Sequence, residues 1–164
     1  MASLPEDKKL PILSLSGKDG GHLDGSAWNL GDNLIKNKVT VIFYVDPDEK
    51  DLNEEVSEIL SNKNYSKDDV QYIAIINMAA TWLPNFAIAA SLDKKQKKYP
   101  DTLYLKDFTK KGVNTWGVDD DQNNFILLNR ESKVIYSKFG KLSKKEQELV
   151  IKLLEGAIKE KKKN

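Results

Sequence analysis

The chain has no cysteine in its 164 residues. Thiol catalysis, disulfides and thiolate metal sites are excluded, because each requires the sulfur. Thiol oxidoreductase and thiol peroxidase activity are excluded with them. The absence is compatible with either redox compartment. Histidine is nearly as scarce: His22 stands alone, and its neighbours Gly20, Gly21 and Leu23 offer it no partner. It reads as a solvated turn residue rather than a ligand or a base. Gly-rich phosphate loops, nucleophile elbows and H-E-x-x-H are missing, so no cofactor is expected. No apolar run approaches the ~20 residues of a membrane-spanning helix. There is also no excess of charge: 26 Lys and Arg stand against 25 Asp and Glu. A net charge of +1 gives no electrostatic reason to expect a nucleic acid or an anionic membrane.

What remains is an ordinary globular composition, 40% hydrophobic and 31% charged, long enough for one domain with a proper core and short for two. The chain is organised around Val39 to Leu60. Val39–Val45 is a continuous apolar, β-branched run that suits a strand buried on both faces. Asp46-Pro47-Asp48 stops it. From Leu52 the period changes: Leu52, Val56, Ile59 and Leu60 mark one face of a helix, with acids crowding its first turn. Val70–Asn77 is a second buried strand, so Val39–Asn77 forms a right-handed βαβ unit. Pro84 opens a further helix and Pro100 closes it.

Thr102–Leu105 is a short strand, and Asp107–Val118 a short helix or loop. Asn124–Asn129 and Lys133–Phe139 are strands whose connection is too short for anything but an antiparallel hairpin. Ser143 and Glu146 form a capping box, followed by the apolar face Leu149, Val150, Leu153, Leu154, Ala157 and Ile158. Upstream, Leu10–Leu15 suits an edge strand and Gly17–Gly25 a turn or hairpin. Trp28, with Leu34 and Ile35, suits a short helical or irregular segment. Residues 1–9 are expected to be loose, 10–159 to form the single domain, and 160–164 to be a solvated basic tail.

The order βαβ–α–ββ–α predicts an α/β fold: a central mixed sheet flanked by helices on both faces, as in thioredoxin-like proteins. Trp116 to Glu146 resembles the C-terminal half of thiol-disulfide and peroxiredoxin-type members of that group. The whole chain resembles the YtfJ family, through Trp28-Asn29, Ile75–Asn77, Ser91–Pro100 and Trp116–Leu142. That resemblance covers roughly residues 10 to 158. It implies a periplasmic protein whose signal segment is removed before this N-terminus, since Met-Ala-Ser-Leu-Pro-Glu-Asp-Lys-Lys carries no signal-peptide apolar run.

In the redox-active relatives, a Cys-x-x-Cys opens the helix after the central strand, where free N–H groups stabilise a thiolate. The resemblance puts Asp48, Glu49, Lys50 and Asp51 in that window. Gln122 and Asn123 then take the place of the family's cis-proline. Both marks of the redox site are gone, so no catalytic residue is assigned.

Three readings follow. The first is a binding or adaptor protein of undefined ligand, with a peptide or protein partner lying beside the former redox edge. The second is a divalent-cation protein: Asp46, Asp48 and Asp51 in one loop would meet Asp119, Asp120 and Asp121 in the other, with Asp46, Asp119 and Asp121 the metal candidates. The bland alternative for these acids is capping and solvent exposure. The third is a cysteine-independent enzyme using carboxylates as acid and base. Trp28, Trp82 and Trp116 read as packing residues more readily than as a binding platform.

Overall fold

The computed structural model describes residues 3–31 and 37–160. Leu34 and Ile35, read as leading into the central strand, lie outside the described residues, as do 1–2 and the tail 161–164. The strands are β1 (Ser14–Leu15), β2 (Gly20–His22), β3 (Trp28–Asn29), β4 (Val39–Val45), β5 (Val70–Asn77), β6 (Thr102–Asp107), β7 (Asn123–Leu128) and β8 (Val134–Phe139). The helices are α1 (Glu54–Lys63), α2 (Asn85–Lys98), α3 (Lys111–Trp116) and α4 (Lys144–Lys159).

Six strands form one mixed sheet in the order β2-β6-β5-β4-β7-β8. The apolar run of β4 lies in its interior, parallel to β5 and antiparallel to β7. That position explains its composition, because both of its faces are covered. β7 and β8 pair antiparallel with a bulge after Leu127. Alternation along β4 sends Ile42 and Tyr44 to one face, Val41, Phe43 and Val45 to the other. The first face is covered by α3, through Val113 and Trp116, and by the N-terminal segment, through Leu13, Leu15 and Trp28. The second is covered by α1 and α4, and beside them by α2. The fold is thioredoxin-like, with helices on both faces of the sheet.

Several expectations are corrected upstream of β4. Trp28-Asn29 is a strand, paired antiparallel to Ser14-Leu15 in a small separate sheet, and Trp28 is buried. The glycine-rich stretch turns as expected, the His22 N–H donating to the Ser26 carbonyl and the Gly25 N–H to the His22 carbonyl, each at 2.9 Å, but it also joins the main sheet. It makes a 3-10 turn and then adds β2 to the edge of the main sheet beside β6. Gly20 permits this: a Cβ there would lie 1.9 Å from the Lys106 carbonyl oxygen. Residues 3–9 are tied down rather than loose. Leu4 is buried and its N–H donates to Ser137 Oγ at 2.7 Å, while Asp7 and Lys8 exchange backbone bonds with Val134. In α4 the capping box forms as expected, but Leu149 is 43% exposed. The buried stripe runs Gln147, Val150, Leu154 and Ala157 instead.

Candidate functional site

β4 ends at Val45, and the loops after it and before β7 meet there, as the sequence predicts. The Asp46 N–H donates to the Gln122 carbonyl at 2.9 Å. Three buried asparagines then knit the loops together. Asn53 Nδ2 donates to Asn123 Oδ1 and to the Gly140 carbonyl, each at 3.1 Å, and Asn53 Oδ1 accepts from the Leu142 N–H at 2.9 Å. Asn123 Nδ2 donates to the Glu49 carbonyl at 3.0 Å. Asn124 Nδ2 donates to the carbonyls of Tyr44 and Asp119, and its Oδ1 accepts from the Asp119 N–H. Amides make good rivets here because each carries both donors and an acceptor. Sequence reasoning marked Asn123 but missed Asn53, because an asparagine beside a helix start reads as a cap. Its side chain caps nothing and bridges the two loops instead.

The other expected positions surround this knot. Asp48 is exposed and accepts from Thr81 Oγ1 at 3.2 Å. Glu49 is half-buried, while Lys50 and Asp51 are exposed and 3.7 Å apart. Gln122 is half-buried beside Gly140. No thiol stands among them.

Asp48 and Asp121 lie close enough to Asp46 to act on its carboxyl, but Asp46, Asp119 and Asp121 do not converge on a point. Among the described residues, no group of three acidic or histidine side chains is placed to hold a metal ion. Asp46 Oδ1 accepts from the Asp48 N–H at 2.9 Å and caps the turn Pro47–Glu49. Asp119 and Asp121 are exposed. Asp120 accepts from Lys110 Nζ at 2.6 Å and from Asn77 Nδ2 at 2.7 Å. The cation that compensates Asp120 is therefore a lysine from α3's N-cap; Asp51 pairs with Lys95, Asp46 caps, and Asp119 and Asp121 face solvent. His22 is half-buried on β2, its backbone paired to Leu105. The three tryptophans are far from forming one platform: Trp28 and Trp116 are buried, and Trp82 is 100% exposed.

The larger feature was not legible in the sequence. A cavity of about 340 Å³ lies between α1 and α2, against the sheet. Phe43, Val45, Ala74, Ile76 and Tyr104 form its floor. Ser57 and Leu60 of α1 and Ile88, Ser91 and Leu92 of α2 form its walls. It divides the core of this face into two clusters, one under α1 and α4 and one under α2. Phe43 packs against both. A domain of this size usually has one contiguous core with few voids larger than a water molecule. Burial pushes the lining phenols of Tyr72 and Tyr104 up to about 12, with the nearby acids Asp101 and Glu54 adding to it respectively.

Above the cavity, polar contacts hold the two helices together. Glu54 of α1 receives Lys95, Lys98 (2.6 Å) and the Tyr99 hydroxyl (2.7 Å) from the end of α2, and Lys95 also reaches Asp51 at 3.1 Å. Burial raises the Glu54 carboxyl, but those three donors outweigh it and hold the group at about 2. At the start of α2, Trp82, Leu83 and Phe86 are exposed, and Leu83 reaches the cavity.

Residues 18–157 match the family model described as "Bacterial protein of unknown function (YtfJ_HI0045)". The uncharacterized protein YtfJ of Escherichia coli K12 is 23% identical over 112 residues, which cover 67% of this chain and 60% of that protein. Among solved structures, a putative thiol:disulfide interchange protein DsbE from Chlorobium tepidum superposes with a TM-score of 0.64 at 17% identity, covering 95% of this chain and 99% of that one. A putative protein disulfide isomerase from Bacteroides thetaiotaomicron gives 0.67 at 15% identity, over 97% and 94%. An uncharacterized conserved protein from Geobacillus kaustophilus gives 0.62 at 22% identity, over 99% and 90%. At these identities the likeness establishes the fold alone.

Proposed function

The chain belongs to the YtfJ_HI0045 family of bacterial proteins and carries a thioredoxin-like fold without cysteine; from this we propose that it is a non-thiol binding protein of the periplasm, holding an apolar ligand between α1 and α2. The observation that carries the reading is the cavity of about 340 Å³ that splits the core of one sheet face. Its size and apolar floor fall within the range of small-molecule pockets, ~300–1,000 Å³. A ligand lying on Phe43, Val45, Ala74 and Ile76 gains packing contacts with the floor. At the former redox edge, the amides of Asn53, Asn123 and Asn124 are engaged with one another and with the backbone. That edge is then a degenerate site, and the binding role belongs to the cavity beside it. The periplasmic assignment is supported by the YtfJ resemblance, and fractionation of cells that make the protein natively tests it.

The test of binding uses an environment-sensitive apolar fluorophore, N-phenyl-1-naphthylamine. The protein should enhance its emission saturably, and Ala74→Phe, which fills the cavity floor, should abolish the enhancement. An equal response from the filled variant would overturn the reading.

A second reading, an adaptor for a protein or peptide partner, is favoured by the fully exposed Trp82 and the 77% exposed Phe86. Aromatic side chains in water mark contact surfaces. Replacing both with Ser separates the two: fluorophore binding survives if the cavity is the site, and falls if the aromatic surface is.

A further inference from the structure

We propose that the ligand of this cavity is a single acyl chain with an anionic head, the carboxylate of a fatty acid or the phosphate of a lysophospholipid, lying over Phe43 and Ala74 with its head at Lys50. The inference rests on the binding reading above and names the ligand class.

The first argument is what the cavity wall asks of a ligand. Among the described residues, the buried side-chain polar atoms without a partner are Trp28 Nε1, Asn77 Oδ1 and Arg130 Nε. None of these residues lines the cavity. Polar side chains of the lining, among them Ser57, Ser61 and Ser91, stand on the helices, whereas the floor of Phe43, Val45, Ala74 and Ile76 offers no side-chain partner to the donors and acceptors of a sugar, a nucleotide or a peptide lying on it, at the cost of their desolvation. Every peptide residue carries an N–H and a C=O, so a peptide inserted along the cavity is the worst fit. A hydrocarbon chain brings none.

The second argument is shape. The lining follows α1 along its whole length, from Asn53 at its start to Asn64 and Tyr65 beyond its end. Ten helical residues span about 15 Å. A volume of about 340 Å³ drawn out over that length is slender. An apolar cavity of ~150 Å³ is known to accept benzene, so this one has room for on the order of a dozen carbons.

The third argument is charge. Three charged side chains line the cavity: Lys50, Lys95 and Asp101. Both lysines lie beside Asp51, just ahead of α1, whereas Asp101 lies beyond the end of α2. Lys50 is exposed and stands 3.7 Å from Asp51, too far for a strong charge-assisted hydrogen bond. It is therefore available to an incoming anion at the α1 entrance. Lys95 is held between Asp51 and Glu54 and its charge is already balanced, so Lys50 is the cation left to meet the head.

Competition against bound N-phenyl-1-naphthylamine tests the proposal, with dodecanoate, hexanoate, dodecanol, dodecanoyl-lysophosphatidylglycerol and an uncharged fused-ring competitor as probes. Dodecanoate should displace the fluorophore, and hexanoate should be weaker by at least about tenfold, since each buried methylene contributes to affinity. Dodecanol should bind more weakly than dodecanoate by roughly threefold to tenfold, in line with an exposed ion pair. Lys50→Gln should remove most of that difference while leaving dodecanol unchanged. The lysophospholipid arm separates the sources: a free acid is favoured if only dodecanoate competes, a lysolipid if the larger head competes better. Ala74→Phe and, independently, Ser91→Leu should abolish the fluorophore's enhancement, with thermal unfolding confirming that each variant is folded. If the fluorophore binds but the ring compound displaces it and dodecanoate does not, the acyl-chain proposal is overturned and the binding reading stands. If wild type and filled variants respond alike to the fluorophore, both are overturned.

Discussion

The Tyr44 hydroxyl donates a 2.7 Å hydrogen bond to the carboxylate of Asp107, joining two side chains that are both shut off from solvent. Asp107 also accepts from the N–H groups of Thr109, Lys111 and Gly112, and so anchors the start of α3 to the sheet. Gly112 is required by the same packing, because a Cβ there would lie 2.2 Å from the Tyr44 ring. Burial, and next the charge of Asp107, push the phenol well above its usual range. It therefore remains a donor at every pH at which the protein is folded. Tyr44→Phe should cost about 1.5–3 kcal/mol, as for a hydrogen bond to a charged group. Gly112→Ala should cost about 1–3 kcal/mol by overpacking. Urea unfolding of each variant measures both; a loss below ~0.5 kcal/mol, the level of a surface site, would mean the contact is dispensable.

The last helix gives a sharper packing test. Leu154 is fully buried under the sheet, Leu153 is half-buried and Leu149 is 43% exposed. Leu154→Ala should cost ~2–5 kcal/mol and Leu149→Ala less than ~0.5 kcal/mol. Leu153→Ala should fall between them. The reverse order would place the helix more than about a third of a turn from where it is described.

The displacement of the buried stripe away from Leu149 shows what the sequence could and could not specify. The 3.6-residue period of α4 was plain, yet six apolar residues on a helix define a broad arc, and only the docked sheet decides which of them is its centre. The long apolar strands β4 and β5 were legible because burial on both faces leaves a compositional mark. Trp28-Asn29 and Gly20–His22 were not, because two or three residues carry no period and their pairing partners are distant in sequence. The meeting of the Asp46 and Asn123 loops followed from element order. The role of Asn53 depends on contacts with residues 70 and 87 positions away, which no local pattern records. Arg130 is similar: a turn arginine on paper, it is buried and binds Asp69 and the Ile158 carbonyl, each at 2.8 Å. The cavity was invisible for a further reason: it is the absence of side-chain volume between helices that each look fully amphipathic.

Glu54 should make the clasp over the cavity acid-sensitive. Its carboxyl sits at about 2 in the fold against 4.5 ordinarily. A depressed acid contributes stability that is fully present above the ordinary value and is lost as pH falls through the folded one. Wild-type stability should therefore decline between pH 4.5 and about 2. Glu146 adds to the same slope, held at about 2 first by the Ser143 backbone N–H, with further bonds from Tyr136 and Lys138 outweighing its burial. The comparison with Glu54→Gln isolates the clasp: that variant should lose the Glu54 part of the slope and be less stable than wild type near neutral pH. Parallel stability curves for the two proteins would show that Glu54 does not hold α2 to α1.

Asp46 should behave with the opposite sign. It is 5% exposed, and burial raises its carboxyl above the usual range. The Asp48 N–H pulls it back, while the charges of Asp48, Asp121 and Glu49 raise it further. A raised acid binds its proton more readily in the fold than in the unfolded chain, so its ionisation opposes folding. That penalty is absent below the ordinary carboxylate range and complete once pH exceeds the folded value. Asp46→Asn keeps an acceptor for the Asp48 N–H, because Asn caps as well as Asp does. It should therefore be neutral or slightly stabilising at pH 7. Asp121→Asn removes one of the neighbouring charges and should lower the Asp46 titration midpoint, read from its carboxyl carbon resonance, while changing stability by less than ~0.5 kcal/mol. A cation bound to ionised Asp46 would reverse both signs. Recording the titration with and without millimolar calcium thus decides between a capped, solvent-facing acid loop and an ion site: an Asp46 midpoint that falls below the ordinary carboxylate value only when calcium is present would restore the ion, and an unchanged midpoint leaves Lys110 as the charge that balances this edge.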